Sequence, residues 1–182
     1  DAGSSTITIS QDKLDSLSGD IILQAGQGIT LGSGVTLNPS LDGIGSTVPF
    51  QTANLGGITL GSGITTAGSS IDLTAPGGTL TLNGALNAPG LGTISLDTGT
   101  LKFNSSENIT SSNLGITSTN GIGSVGTALK TSVSNLEATT STGGIFITNA
   151  GKALTIGGVT PFREQLRSAR VGSRKWRAVD RV

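Results

Sequence analysis

Short aliphatic triplets cut apart by glycine-rich breaks are what most limits the folds open to this chain. Ile7-Thr8-Ile9, Ile29-Thr30-Leu31, Val35-Thr36-Leu37, Ile58-Thr59-Leu60, Ile71-Asp72-Leu73, Leu80-Thr81-Leu82, Ile94-Ser95-Leu96, Leu101-Lys102-Phe103, Ile145-Phe146-Ile147 and Leu154-Thr155-Ile156 follow one pattern. Side chains alternate along a strand, so each triplet puts two apolar groups on one face and usually a polar one on the other. Between the triplets stand Gly32-Ser33-Gly34, Gly61-Ser62-Gly63, Pro76-Gly77-Gly78, Asn83-Gly84, Pro89-Gly90 and Gly143-Gly144. These end strands and allow tight turns. No stretch of residues 1–160 carries the spacing of a long amphipathic helix. The reading is all-β.

Repetition refines it. The segment GITLGSGVTL at 28–37 returns as GITLGSGITT at 57–66, with eight of ten positions identical. SNLGITSTNGIG at 112–123 is echoed by SNLEATTSTGGI at 134–145. Aliphatic positions Val35, Ile58, Leu80, Leu101, Ile122 and Ile145 step by 21–23 residues, and Ile71, Ile94 and Ile116 by 22–23. A period of this length, with two or three strands in each, fits a parallel β-helix of about 20–23 residues per rung. Roughly seven rungs at ~4.8 Å would give an axis of ~35 Å. Ile94, Ile116, Leu80 and Leu101 are the expected core. An antiparallel sandwich and an ordinary β-roll are the alternatives.

Composition separates this reading from disorder and removes most chemistry. Gly, Thr, Ser and Asn fill 88 of 182 positions, yet Leu, Ile and Val fill 40 of the first 160, which is too apolar for a typical disordered chain. Cys and His are absent, which excludes disulfides, zinc fingers, iron–sulfur sites and every nucleophile–His arrangement. Zero Cys fits a reducing compartment or a large bacterial surface protein. The longest Leu/Ile/Val run is Ile21-Ile22-Leu23, too short for a membrane-crossing helix. The chain opens at Asp1 without an apolar leader and reads as a mature chain or a fragment.

Charge divides the chain in two. Residues 1–160 hold four Lys against nine acids, a net charge of −5, and residues 161–182 hold seven bases against Glu164 and Asp180, a net charge of +5. All six Arg and the single Trp176 lie in that tail. Arg163, Arg167, Arg170, Arg174, Arg177 and Arg181 are spaced 4, 3, 4, 3 and 4, one stripe on a helix. Such a stripe suits anionic lipid, nucleic acid or an acidic partner. Against this, the composition changes within one residue of a β repeat, as it would at a junction with sequence that does not continue the rungs. The boundary is placed at Thr160/Pro161: a repeat domain over 1–160, and a basic tail over 161–182 that is either helical or a non-native continuation.

The runs SGDIILQAGQGITLGSGVTL at 18–37 and GIGSVGTALKTSVSNLEATTSTGGIFITNAGKALTIGGVT at 121–160 resemble repeats of filamentous-haemagglutinin-like adhesins, the large exoproteins of Gram-negative bacteria. The most recognisable part is SNLEATTSTGGIFITNAGKALTIGGV at 134–159. The resemblance implies a right-handed parallel β-helix exported to the bacterial cell surface, acting as a rod or stalk in adhesion or aggregation. The partners it implies are cell-surface or matrix ligands, glycans among them, and neighbouring rungs of the parent chain. It carries no active-site motif.

The candidate chemical motifs each have a plainer explanation. Gly121-x-Gly123-x-x-Gly126 matches the dinucleotide fingerprint, but Thr127–Val133 is too short for the helix the fingerprint needs. Asp72 and Asp97 fall on outward positions and fit one rung apart with a two-residue offset, an arrangement that could bind a cation or shape an acid/base pair; the expected state is a solvated surface. No Arg or Lys cluster stands beside them. Thr-x-Thr pairs at 6/8, 79/81, 98/100, 117/119 and 140/142 are what abundant Thr in strands produces. The sequence therefore assigns no catalytic, cofactor-binding or metal-ligating residue and no nucleic-acid partner to the body. A non-enzymatic adhesive segment is expected, with a β-helical polysaccharide lyase or glycoside hydrolase as the alternative.

Overall fold

The structure is a computed structural model and describes residue 12 and residues 21–33, 47–53 and 55–159. The tail over 161–182 lies outside the described residues, as do Val35 and Ile7-Thr8-Ile9. Twelve strands follow in order: β1 (Leu23–Ala25), β2 (Gly28–Leu31), β3 (Thr47–Thr52), β4 (Gly57–Leu60), β5 (Ile64–Thr65), β6 (Ser70–Leu82), β7 (Leu86–Phe103), β8 (Asn108–Ser118), β9 (Leu129–Ser132), β10 (Asn135–Thr140), β11 (Ile147–Asn149) and β12 (Thr155–Ile156). Every pairing between them is parallel. The chain coils into a β-solenoid of about five turns.

Three faces run along the axis. The first is seven strands deep, in the order β1, β3, β6, β7, β8, β10, β12. The second stacks β2, β4, the end of β6 and the end of β7. The third stacks β5, the start of β7, the start of β8, β9 and β11, five deep. The described residues thus make about five turns; the seven rungs expected from the sequence span 1–160, part of which lies outside the described residues.

Alternation fills the interior. On the first face Val48, Ile71, Ile94, Leu114 and Leu136 stack in register, beside Phe50, Leu73, Leu96 and Ile116. On the second face Ile58, Leu80 and Leu101 stack, with Leu60 and Leu82 alongside. On the third, Ile64, Leu86 and Ile109 do so. All of these are buried and form one continuous core. The four residues expected in the core, Leu80, Ile94, Leu101 and Ile116, are among them.

Corners explain the glycines. Gly77 sits at φ +75°, a conformation that L side chains avoid. A Cβ on Gly78 would collide with Gly56 O and stand 3.1 Å from Leu55 O on the turn below. Parallel strands only ~4.8 Å apart leave no room for a side chain directed along the stack.

Two of the expected ladders slip. Ile58 pairs with Ile29, 29 residues back, so the first four positions of the repeat, 28–31 and 57–60, are a stacked pair of strands with Gly28 opposite Gly57 and Leu31 opposite Leu60. Ile94 pairs with Leu114 rather than Ile116, whose partner is Leu96. For this second ladder the cause is corner length. Pro89-Gly90-Leu91-Gly92 separates the paired segments of β7, whereas Ser112 alone does so in β8. The echo 112–123/134–145 is also a stacked pair, from Asn113 opposite Asn135 to Ser118 opposite Thr140.

Candidate functional site

The first face brings together the two carboxylates that the sequence singled out. Asp72 pairs with Ser95 across one turn, and Asp97 pairs with Thr74. They are thus one turn apart and two positions offset, as the spacing suggested. Parity with Ile71 and Leu73 directs Asp72 outward, but it is 2% exposed, not solvated. Thr74 Oγ1 donates to Asp72 Oδ1 at 3.0 Å, and Thr74 is itself buried. Asp97 is half-buried. Hydrophobic patterning cannot reveal this, because alternation records the parity of a position and not how far its surroundings cover it.

Elsewhere the outer surface carries ladders of like polar side chains. Asn135 Nδ2 donates to Asn113 Oδ1 at 2.7 Å, and Asn113 Nδ2 to Thr93 Oγ1 at 3.4 Å. Asn120 Nδ2 donates to Thr100 Oγ1 at 2.7 Å, and Thr142 Oγ1 to Asn120 Oδ1 at 3.4 Å. Gln24 Nε2 donates to Gln51 Oε1 at 3.0 Å. Parallel in-register stacking sets equal residues one strand apart, so amides that alternate donor and acceptor bond directly along the axis.

A shallow cavity of about 480 Å³ opens on the second face. There the strand ladder gives way to a loop, and Ile122 forms a single bridge to Ile145. Thr81, Asn83, Lys102, Phe103, Asn104 and Ser124 contribute to its lining, and none of the described lining residues is acidic. It offers amides, hydroxyls, one aromatic edge and the Lys102 ammonium, which suits a polar or anionic ligand, and its described lining lacks the paired carboxyls of glycoside hydrolysis.

The remaining motifs resolve into structure. Gly121–Gly126 forms a corner closed by Ser124 and Thr127, whose backbone groups bond each other at 2.9 and 3.1 Å. Strand β9 follows it, where a dinucleotide site has a helix. Of the Thr-x-Thr pairs, Thr98 is buried while Thr100, Thr79 and Thr81 are half-buried, so they do not share one flat exposed array. Among the described residues no group of three or more His, Cys, Asp or Glu could hold a metal ion, and no helix is long and apolar enough to cross a membrane. Comparison of the chain with protein-family models, with curated proteins and with solved structures finds no match.

Proposed function

We propose that this chain is a non-enzymatic structural segment of a bacterial surface adhesin, a rod that spaces binding modules and offers weak polar contacts along its length. The observation that supports the reading is the in-register stacking of all three faces along one axis, with Asn, Gln and Thr ladders outside. Such a surface repeats one polar element at each strand, which suits many weak contacts to a repetitive ligand such as a glycan. The likeness of 134–159 to filamentous-haemagglutinin-like repeats points the same way and implies an extracellular setting. The cavity beside Phe103 is the best place for an individual sugar.

The test is adhesion as a function of density. Beads carrying the full chain should bind cells or glycan-coated surfaces with a steep dependence on coating density, while the free chain binds weakly. Density-independent binding, or none to any cell or glycan surface, overturns the adhesive reading. The offset pair Asp72/Asp97 favours the one competing reading, a carbohydrate-active enzyme. Polysaccharide depolymerisation by the full chain, lost in Asp97→Asn, would establish that reading instead.

A further inference from the structure

The second face parts at one place. Leu101–Phe103 pair with Leu80–Leu82 on the turn below. Toward the turn above, the ladder holds as far as Asn120, whose N–H donates to Gly99 O at 2.9 Å, and it resumes on the third face, where Asn108 pairs with Lys130. Between these points no described strand pairs with Leu101–Phe103 on the side of Gly121–Ser124. Gly121–Ser124 is drawn instead into the corner that Ser124 and Thr127 close. The cavity of about 480 Å³ is this gap, with Leu101 and Phe103 lining it from one turn and Gly121 and Ser124 from the next. A backbone edge that lacks its strand keeps hydrogen-bonding groups with no partner in the ladder.

The side chains around the gap select a ligand. Lys102 is the one charged group of the described lining, and it is exposed. Asn104 Nδ2 donates to Asn83 Oδ1 at 3.4 Å, which leaves Asn83 Nδ2 to donate and Asn104 Oδ1 to accept. Thr81 and Ser124 add hydroxyls that donate and accept, and the half-buried Phe103 adds an apolar edge. A ligand that uses all of these carries one negative charge, several hydroxyls and an apolar C–H face. We propose that the gap binds an acidic sugar, a hexuronate residue of a polysaccharide, with its carboxylate on Lys102 and its ring beside Phe103. The inference rests on the adhesive reading above and names the class of glycan it takes.

Three features favour this occupant over other polar ligands. A carboxylate monoanion is balanced by one ammonium with amide and hydroxyl donors beside it, whereas a phosphate monoester carries more charge than a single Lys offsets. Phe103 has no role toward an inorganic anion, and Lys102 has none toward a neutral sugar. The volume lies within the usual range of small-ligand sites, roughly 300–1,000 Å³, so the gap takes a sugar unit and leaves the rest of the polymer outside. A polyuronate carries a carboxylate on every residue, so many chains on one surface can each hold a residue of the same polymer. That is the arrangement in which weak single-site binding becomes steeply density-dependent.

Calorimetric titration of the full chain with trigalacturonate and with the neutral galactose trimer tests the site. The uronate trimer should bind about tenfold more tightly, the gain of one hydrogen-bonded charge pair. Lys102→Gln should erase that preference and Lys102→Arg should keep it. Lys130→Gln, which alters an exposed Lys on β9 outside the lining, should leave it unchanged. Phe103→Leu should weaken both trimers alike. Equal affinity of the parent chain for the two trimers, or binding of neither, overturns the inference; beads that still adhere with density dependence then leave the adhesive reading standing. A preference that survives Lys102→Gln also overturns it, by assigning the anion to another basic group such as the arginines of 161–182. Beads that adhere to nothing while the Lys102-dependent preference persists would overturn the adhesive reading alone and leave the site established.

Discussion

Leu80 shows how a single side chain holds this coil. It is fully buried, with Ile58 one strand below and Leu101 one strand above. A shortened side chain there leaves a void between two turns that strand pairing prevents from closing. Leu80→Ala should cost ~2–4 kcal/mol, read as a lower denaturation midpoint at unchanged slope; a midpoint equal to that of the parent would place Leu80 in solvent. This residue was legible in the sequence because parity within Leu80-Thr81-Leu82 already directs it inward. Thr98 was not. It occupies an inward position next to a corner, where its hydroxyl accepts from Leu80 N at 3.1 Å and lies 3.0 Å from Gly78 O. A threonine pattern reads as surface, and only the path of the corner shows that the backbone there needs a side-chain partner. Asp72 failed to read for a different reason: parity directs it outward, and alternation does not record that it is only 2% exposed.

At the scale of elements, strands follow from local pattern and corners do not. Ile71-Asp72-Leu73 and Ile94-Ser95-Leu96 declare themselves by alternation, and they pair residue for residue. The next step fails under a constant period because four residues bulge out at Pro89–Gly92, with Leu91 71% exposed, while one suffices in β8. Bulged corners sit outside the hydrophobic register, so no apolar position records their length. Corner glycines are specific in turn. Gly78→Ala should destabilise by ~1–3 kcal/mol through its collision with Gly56, whereas Gly126→Ala, with open space around it, should be close to neutral in the same melting experiment. The last turn has its own device. The third-face stack runs Ile64, Leu86, Ile109, then Thr131 and Asn149, changing from aliphatic to polar. Asn149 accepts from Thr131 Oγ1 and Val133 N at 2.9 Å each and donates to Val133 O at 3.1 Å and Lys152 O at 3.3 Å. It satisfies backbone groups that the next aliphatic rung would otherwise cover. Asn149→Ala should speed amide exchange across β9 and β11 while leaving β6 and β7 unchanged; a uniform change along the chain would mean that Asn149 acts on the whole coil and not on its end.

At the scale of the molecule, the described residues form a one-dimensional stack, and its stability should be graded along the axis. Each turn touches only the turns above and below it, so a central turn has two neighbours and a terminal turn has one. Burial follows that rule. Ile71, Leu80 and Ile94 are at 0% exposure in the middle, while Ile145, Leu154 and Ile156 at the C-terminal end are 44%, 39% and 73% exposed. The terminal apolar groups gain little from the fold at ~25 cal/mol per Å² of area removed from water, and β12 contributes only Thr155 and Ile156 to the pairing with β10. Opening should therefore proceed inward from β12 and β11, with β6, β7 and β8 opening last. Native-state hydrogen exchange at increasing denaturant measures this directly. Amides of β11 and β12 should exchange through local openings of low free energy and weak denaturant dependence, and amides of β6 and β7 only through global unfolding. A single exchange free energy shared by all twelve strands would refute the additive picture and require long-range coupling that nearest-neighbour stacking does not supply.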